Sequence, residues 1–194
     1  MLLVDGPCRE AFELAWEAFR AGSIPVGAVV VEHGEIVARG RNRVHEQTAP
    51  PRQLAGTMLA HAEVNAIAQL DTEPHDDAVL YTTLEPCLLC VGAAAMARVG
   101  TVRYASPDPF AGGVSYELDN AYLRLRRTVV EGPLDGLPAQ LGELLHLAFF
   151  LRARPGGTVV TAYRDLNPAQ LALAEELALH EAETLDEVIA RAGG

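Results

Sequence analysis

Three short pieces of this sequence hold residue types from which a metal-assisted reaction can be built. His61-Ala62-Glu63 opens one candidate helix, and Pro86-Cys87-Leu88-Leu89-Cys90 opens another directly after a candidate strand. Gly27-Ala28-Val29-Val30 and Arg41-Asn42-Arg43 mark the two strands that should run beside them. A thiol at a helix start feels free amides and the positive end of the helix dipole, which lower its pKa. Cys87 and Cys90, three residues apart, share one face of a turn. Two thiolates there, with the neutral imidazole of His61, balance the charge of Zn²⁺ and leave a fourth tetrahedral position for water, the plan of a catalytic site. Glu63 lies two residues beyond His61, so it can reach over such a metal without ligating it and carry a proton. Two other arrangements use the same residues. One is a structural zinc site closed by Cys8; the other is a dithiol redox centre, because Cys-x-x-Cys after a strand and opening a helix is also a redox plan. The redox arrangement leaves His61 and Glu63 without a part.

Positioning these residues falls to an alternation of strands and helices. Gly6-Pro7 opens a helix to about Ala21, with Phe12, Trp16 and Phe19 on one face. Val26–Glu32 and Glu35–Arg41 form a hairpin across His33-Gly34. A Pro- and Gly-bearing loop follows, then a helix over His61–Leu70, a strand over Ala78–Thr83, a helix over Cys87–Arg98 and a strand over Thr101–Ala105. This order predicts an α/β sheet covered by helices on both faces. Asn120–Leu125 is a short helix, Thr128–Val130 a short strand and Pro138–Arg152 an amphipathic helix. Pro155-Gly156-Gly157 marks a boundary, which divides the chain into residues 1–154 and a C-terminal helical extension, 155–194. In that extension Asn167-Pro168 and Thr184-Leu-Asp-Glu187 carry helix-start signals. Glu85, between strand and metal helix, reads either as a carboxylate that supports the site from behind or as a surface residue. His33, His75, His146 and His180 read as turn or surface residues, while His45 lies near Asn42 on the loop toward the site.

The chain has 194 residues, 49% of them apolar and 21% charged, enough for a substantial core. Its longest apolar run, Cys87–Ala97, is far short of the ~20 residues that span a bilayer. The first eight residues lack the plan of a signal peptide, so the expected compartment is the cytoplasm, where three cysteines suit metal or catalysis better than disulfides. Net charge is -11, with no lysine, and the extension alone carries two arginines against seven acidic residues. Such a surface repels phosphate backbones. The one dense basic stretch, Arg124, Arg126 and Arg127, reads as a solvated helix end.

His61-Ala-Glu63, 22 intervening residues and Pro86-Cys-x-x-Cys90 resemble the signature of the zinc-dependent cytidine/deoxycytidylate deaminase superfamily. Ile24-Pro-Val-Gly-Ala-Val-Val, Gly40-Arg-Asn-Arg, Leu84-Glu-Pro-Cys and Arg98-Val-Gly-Thr-Val-Arg-Tyr look like the branch that holds tRNA adenosine deaminases and bacterial guanine deaminases. The resemblance covers about residues 8–152. It implies a three-layer α/β/α sandwich around a five-stranded mixed sheet. It implies zinc on His61, Cys87 and Cys90, with Glu63 as proton shuttle. Asn42 would hydrogen-bond the base, the Ala62 amide would hold an exocyclic oxygen or ring nitrogen, and the Pro86 carbonyl would accept from the leaving amine. Asp108 and Phe110 fall on a loop that borders the pocket in this family, where Phe110 either stacks on a base or packs the core. A homodimer is implied too, with the apolar face of 138–150 as a contributor. The reaction is hydrolytic deamination of an amino-substituted nucleobase or nucleoside, releasing ammonia; adenosine-to-inosine editing of tRNA is the alternative. The 18 residues between Asn42 and His61, longer than a tRNA deaminase suggests, are expected to cover or shape the pocket. That loop, Arg41, Arg43 and Arg52 as the only basic groups near the mouth, and the acidic extension favour a small-molecule substrate and disfavour nucleic acid.

Overall fold

In the computed structural model, residues 6–114, 121–126, 128–179 and 184–193 are described. Helix α1 (Pro7–Arg20) starts on Gly6 with Pro7 in its first turn. Strands β1 (Gly27–Glu32) and β2 (Glu35–Arg41) form the expected hairpin. Then come α2 (Ala62–Ile67), β3 (Val79–Leu84), α3 (Leu88–Met96), β4 (Thr101–Ser106), α4 (Ala121–Arg126), β5 (Val129–Glu131) and α5 (Leu137–Ala153). The extension supplies α6 (Thr158–Leu166), α7 (Pro168–Leu179) and α8 (Leu185–Ala192). The sheet order is β2-β1-β3-β4-β5, antiparallel through β3 and parallel from β3 to β5. This is the mixed five-stranded sheet that was expected. Asn120 and Arg127 lie outside the described residues, and the guanidinium of Arg126 sits over the Tyr122 ring, 4.4 Å from its centroid.

Alternation along the strands divides the interior into two cores. Ala28, Val30, Leu80 and Val102 pack with Ala62, Ala66 and Ala94 of α2 and α3. The other core joins Phe12, Trp16 and Phe19 of α1 to Leu141, Leu144 and Leu145 of α5. Two glycines set how closely the helices approach. A Cβ on Gly40 of β2 would lie 2.2 Å from the Ala62 carbonyl oxygen and 2.3 Å from the Ala66 nitrogen. A Cβ on Gly142 of α5 would lie 2.6 Å from the Thr83 oxygen and from the Ser106 Cβ. The first contact places the helix that carries Glu63, and the second places α5 across the ends of β3 and β4.

Helix α5 departs from the amphipathic reading of 138–152. Leu141, Leu144, Leu145, Leu147, Ala148 and Phe149 are all buried within the chain, covered by α1 and the C-terminal helices. The 138–150 face is therefore not free for a partner subunit. Its apolar residues are the seat of α6–α8: Tyr163, Ala174, Leu177, Leu185 and Val188 join the α1/α5 core. The expected boundary after 154 falls in the turn between α5 and α6, and one core runs across it. His75, expected at the surface, is buried between Glu32 and Asp71. His180 lies outside the described residues. Among the described residues no helix is long and apolar enough to cross a membrane.

Gly40→Ala tests the close approach of α2. The neighbouring atoms are backbone and cannot swing aside, so the substitution should cost about 2 kcal/mol or more. For a chain of this size that lowers Tm by roughly 4–8 °C. Thermal unfolding measures it, and zinc content of the folded protein should fall with it.

Candidate metal centre and active-site cavity

Two helix starts bring the metal-ligating residues together. His61 is the N-cap of α2 and Cys87 the N-cap of α3, both with extended backbone angles. Cys90 follows one turn into α3. The Cys87 and Cys90 sulfurs are 3.6 Å apart, and each lies 3.5 Å from His61 Nδ1. A tetrahedral zinc with bonds of ~2.3 Å to sulfur and ~2.1 Å to nitrogen asks for separations of about 3.8 and 3.6 Å. The triangle fits that ion with almost no rearrangement. It is the group of ligand atoms close enough to hold a metal among the described residues. Cys8 packs against the α1/α5 core, where burial pushes its thiol up to about 11. It cannot close the site, so the structural-zinc arrangement with Cys8 is excluded.

The electrostatics follow from these contacts. The Cys90 thiol beside it and the His61 imidazole hold the Cys87 thiol down at about 4. Cys90 moves the other way, raised by its bond to Cys87 and by burial: the two sulfurs share one proton. His61 is raised mainly by its contact with Cys87. Burial pushes the Glu63 carboxyl above the ordinary carboxylate range. Glu63 is 3% exposed; its Oε1 accepts from Thr82 Oγ1 at 3.1 Å and its Oε2 lies 3.3 Å from Cys90 Sγ. A buried carboxyl with a raised pKa, held against the ligand triangle, is suited to take and return protons.

The triangle opens into a cavity of about 220 Å³. This is below the ~300–1,000 Å³ of drug-sized ligand sites and suits one heteroaromatic base. Asn42, His61, Glu63 and Cys87 line it, together with Glu85, Asp108, Phe110, His146 and apolar side chains. The Val44 N–H donates to Asn42 Oδ1 at 3.1 Å, which fixes the oxygen end of the amide and leaves the NH₂ for the cavity. Ala62 is the first residue of α2, where helix geometry leaves the N–H without an intrahelical acceptor. The Pro86 carbonyl already accepts from Gly113 N at 2.9 Å, so only its second lone pair is open. Asp108 Oδ1 accepts from the Phe110 and Ala111 N–H groups at 2.9 and 3.0 Å, folding the loop after β4 into the cavity wall. Glu85 holds that loop from below, accepting from Asp108 N and Val114 N, each at 3.2 Å. Phe110 lines the cavity with one face and tilts against Tyr163 of α6, ring centroids 6.0 Å apart.

Other expectations about the mouth need correction. The 43–60 loop contributes nothing to the cavity lining; Asn65 of α2 pins it down, bonding Leu54 through both backbone groups. His45 stacks near Phe149 instead of reaching the cavity. Arg41 and Arg43 are both paired to Glu46, and Arg52 donates to the Leu70 carbonyl. Several cavity residues were missed, Val159 and His146 among them. Val159 comes from the extension, and His146 sits on a helix whose apolar spacing gave no hint of a lone polar group facing a cavity. The one available signal was Gly142, a turn before His146, marking the face pressed against the strand ends.

The profile of the family described as the cytidine and deoxycytidylate deaminase zinc-binding region matches residues 7–106. The chain belongs to that family. It is 39% identical over 154 residues to a tRNA-specific adenosine deaminase of Bacillus subtilis, covering 75% of this chain and 88% of that one. It is 34% identical over 147 residues to a guanine deaminase of the same organism, covering 73% and 88%. A solved guanine deaminase from Nitrosomonas europaea superposes with a TM-score of 0.51 at 25% identity, covering 66% of this chain and 78% of that one. The share of a curated relative that the chain spans runs from 8% to 88%, below two thirds for most. These similarities overturn the expectation that nucleic acid is disfavoured as a partner, since a relative matched over most of its length is named for tRNA. Net charge failed as a guide because it sums the whole surface, whereas a base drawn out of a loop presents the same edges to a pocket as a free base does.

Zinc content separates the ligand sets. Cys87→Ser and His61→Ala should each lose the metal, and Cys8→Ser should retain one zinc per chain by atomic absorption.

Proposed function

We propose that the protein is a zinc-dependent hydrolytic deaminase of an aminated purine, replacing the ring amine by a keto oxygen with release of ammonia. The observation that carries this reading is Glu63, buried beside the His61–Cys87–Cys90 triangle in the lining of a base-sized cavity. Zinc bound there supplies a water whose pKa lies near neutrality. As a water oxygen bonds to the ring carbon, Glu63 is placed to take the water's proton and return it to the ring nitrogen beside that carbon. A second proton passes through the same carboxyl to the amine, which leaves as ammonia. Asn42 donates its NH₂ to a ring acceptor, and the Ala62 N–H holds a second polar atom. The free lone pair of Pro86 receives the departing amine. Asp108 and Phe110 bound the base on the side of the β4 loop. The purine class rests on the adenosine and guanine deaminases that the chain resembles.

Two forms of the purine are compatible with this site. A free base or nucleoside fits the small cavity, and the tRNA relative favours a base extruded from an anticodon loop. Reduced thiols at Cys87 and Cys90 suit a cytoplasmic setting. A homodimer is proposed through the exposed Leu54, Met58, Leu59, Leu88 and Leu89 beside the metal centre, in place of the buried α5 face.

Ammonia release from guanine, adenine and their nucleosides, run beside inosine formation in transcribed arginine tRNA, tests the reading and decides the form. Absence of turnover in every arm by zinc-loaded protein would sink it. Glu63→Gln should keep zinc and fold while kcat falls by about 10²–10⁴ or more, because an amide can hold the water but not carry its proton. Turnover within about tenfold of the unmodified protein would remove Glu63 from the mechanism.

A further inference from the structure

His146 is a buried titratable group that the proposed reaction leaves without a task. It lies on α5, which packs over β3 and β4 with the α1 core, whereas the metal ligands begin α2 and α3 in the other layer. The cavity passes between the two layers, so His146 and Glu63 line it from different sides of the sheet. The side chain is nine-tenths buried, and among the described residues neither ring nitrogen has a hydrogen-bond partner. Phe150 meets the imidazole edge-on, centroids 4.9 Å apart, which fixes its plane. Its neighbours in the wall are mostly apolar, Phe150 and Val159 among them, with the Asp108 carboxylate as the nearby charge.

Neither ring nitrogen is sealed off: both keep accessible surface, and the residue lines the cavity. A leucine would fill the same place in a helix that is otherwise apolar on this side. Burial holds the imidazole below the ordinary histidine range despite Asp108, so it is neutral and offers one donor and one acceptor. Resting on the deaminase reading, we infer that His146 binds substrate: it hydrogen-bonds a ring nitrogen or exocyclic oxygen on the purine edge turned away from the reacting amine. The metal end then selects for an amine on a ring carbon, and the α5 end selects for a polar atom opposite. A site built this way rejects analogues that lack the atom, because its own buried group is then left unsatisfied.

The test uses full-length, zinc-loaded protein and the purine that it deaminates. His146→Leu should retain zinc and Tm, since no protein group is bonded to the imidazole. Its kcat/KM should fall about 10–100-fold, mostly through KM. His146→Gln, which restores a donor and an acceptor, should recover part of the loss. The 3-deaza, 7-deaza and 9-deaza analogues of the same purine give the second measurement. Unmodified protein should discriminate against one of them, and His146→Leu should erase that discrimination while leaving the other ratios alone. Unchanged kcat/KM and unchanged ratios in His146→Leu would overturn the inference. Loss of fold or zinc in both the Leu and Gln variants would assign His146 to packing and overturn it as well. Absence of turnover by the unmodified protein is a different result, which defeats the deaminase reading itself.

Discussion

Everything at the active end of this molecule depends on three ligand atoms, carried by two helices far apart in sequence, meeting within 3.6 Å. Neither helix could achieve this alone. Each begins where the chain leaves extended conformation, so His61 and Cys87 stand at N-caps. Helix α2 packs on β1 and β2 and against α3, which brings the two starts side by side. Gly40 completes the geometry by letting α2 touch backbone to backbone, with no side chain between helix and strand.

The donor set also explains why the site favours a dication. Two thiols at 3.6 Å cannot both ionise unaided, and Cys90 beside a buried carboxyl resists ionisation further. A doubly charged ion at the centre of the triangle would stabilise both thiolates at once. Glu63 gains from the same change, because its Oε2 is then no longer engaged by the Cys90 thiol. Thr82 alone would hold its other oxygen in place. The carboxyl is thus oriented by the sheet and left one oxygen with which to exchange protons.

The metal centre was legible in the sequence because its information is local: Cys87 and Cys90 share one helical turn, and Glu63 is bound by chain connectivity to His61. The sheet was legible for a similar reason, since strand–helix alternation and β-branched runs are short-range signals. The far wall of the cavity was not. Val159 and His146 reach it through tertiary packing, and the only mark near them in sequence is Gly142, which signals a close approach and not a pocket. Helix α5 misled in the same way: a pattern that suggested one apolar stripe belongs to a helix buried on most sides by its own C-terminal neighbours. Proline and glycine at 155–157 signalled a turn correctly but carried no information about whether the core continued beyond it.

That continuity makes the C-terminal helices part of the cavity wall as well as of the core. Tyr163 backs Phe110, Val159 closes the cavity beside Phe150, and the whole of α6 is held against α5 by the shared core. Phe110 is anchored from its other side by the Asp108 turn, which Glu85 in turn supports from the end of β3. A chain of contacts therefore runs from the extension, through the β4 loop, to the residue immediately before the Pro-Cys motif. The metal end of such a site is confined by coordination geometry and proton transfer, which leave few residue choices. The α5 and α6 end has no such constraint. Differences in substrate between proteins that share the metal centre are therefore expected to reside there, in the size and polarity of the wall and not in the ligands.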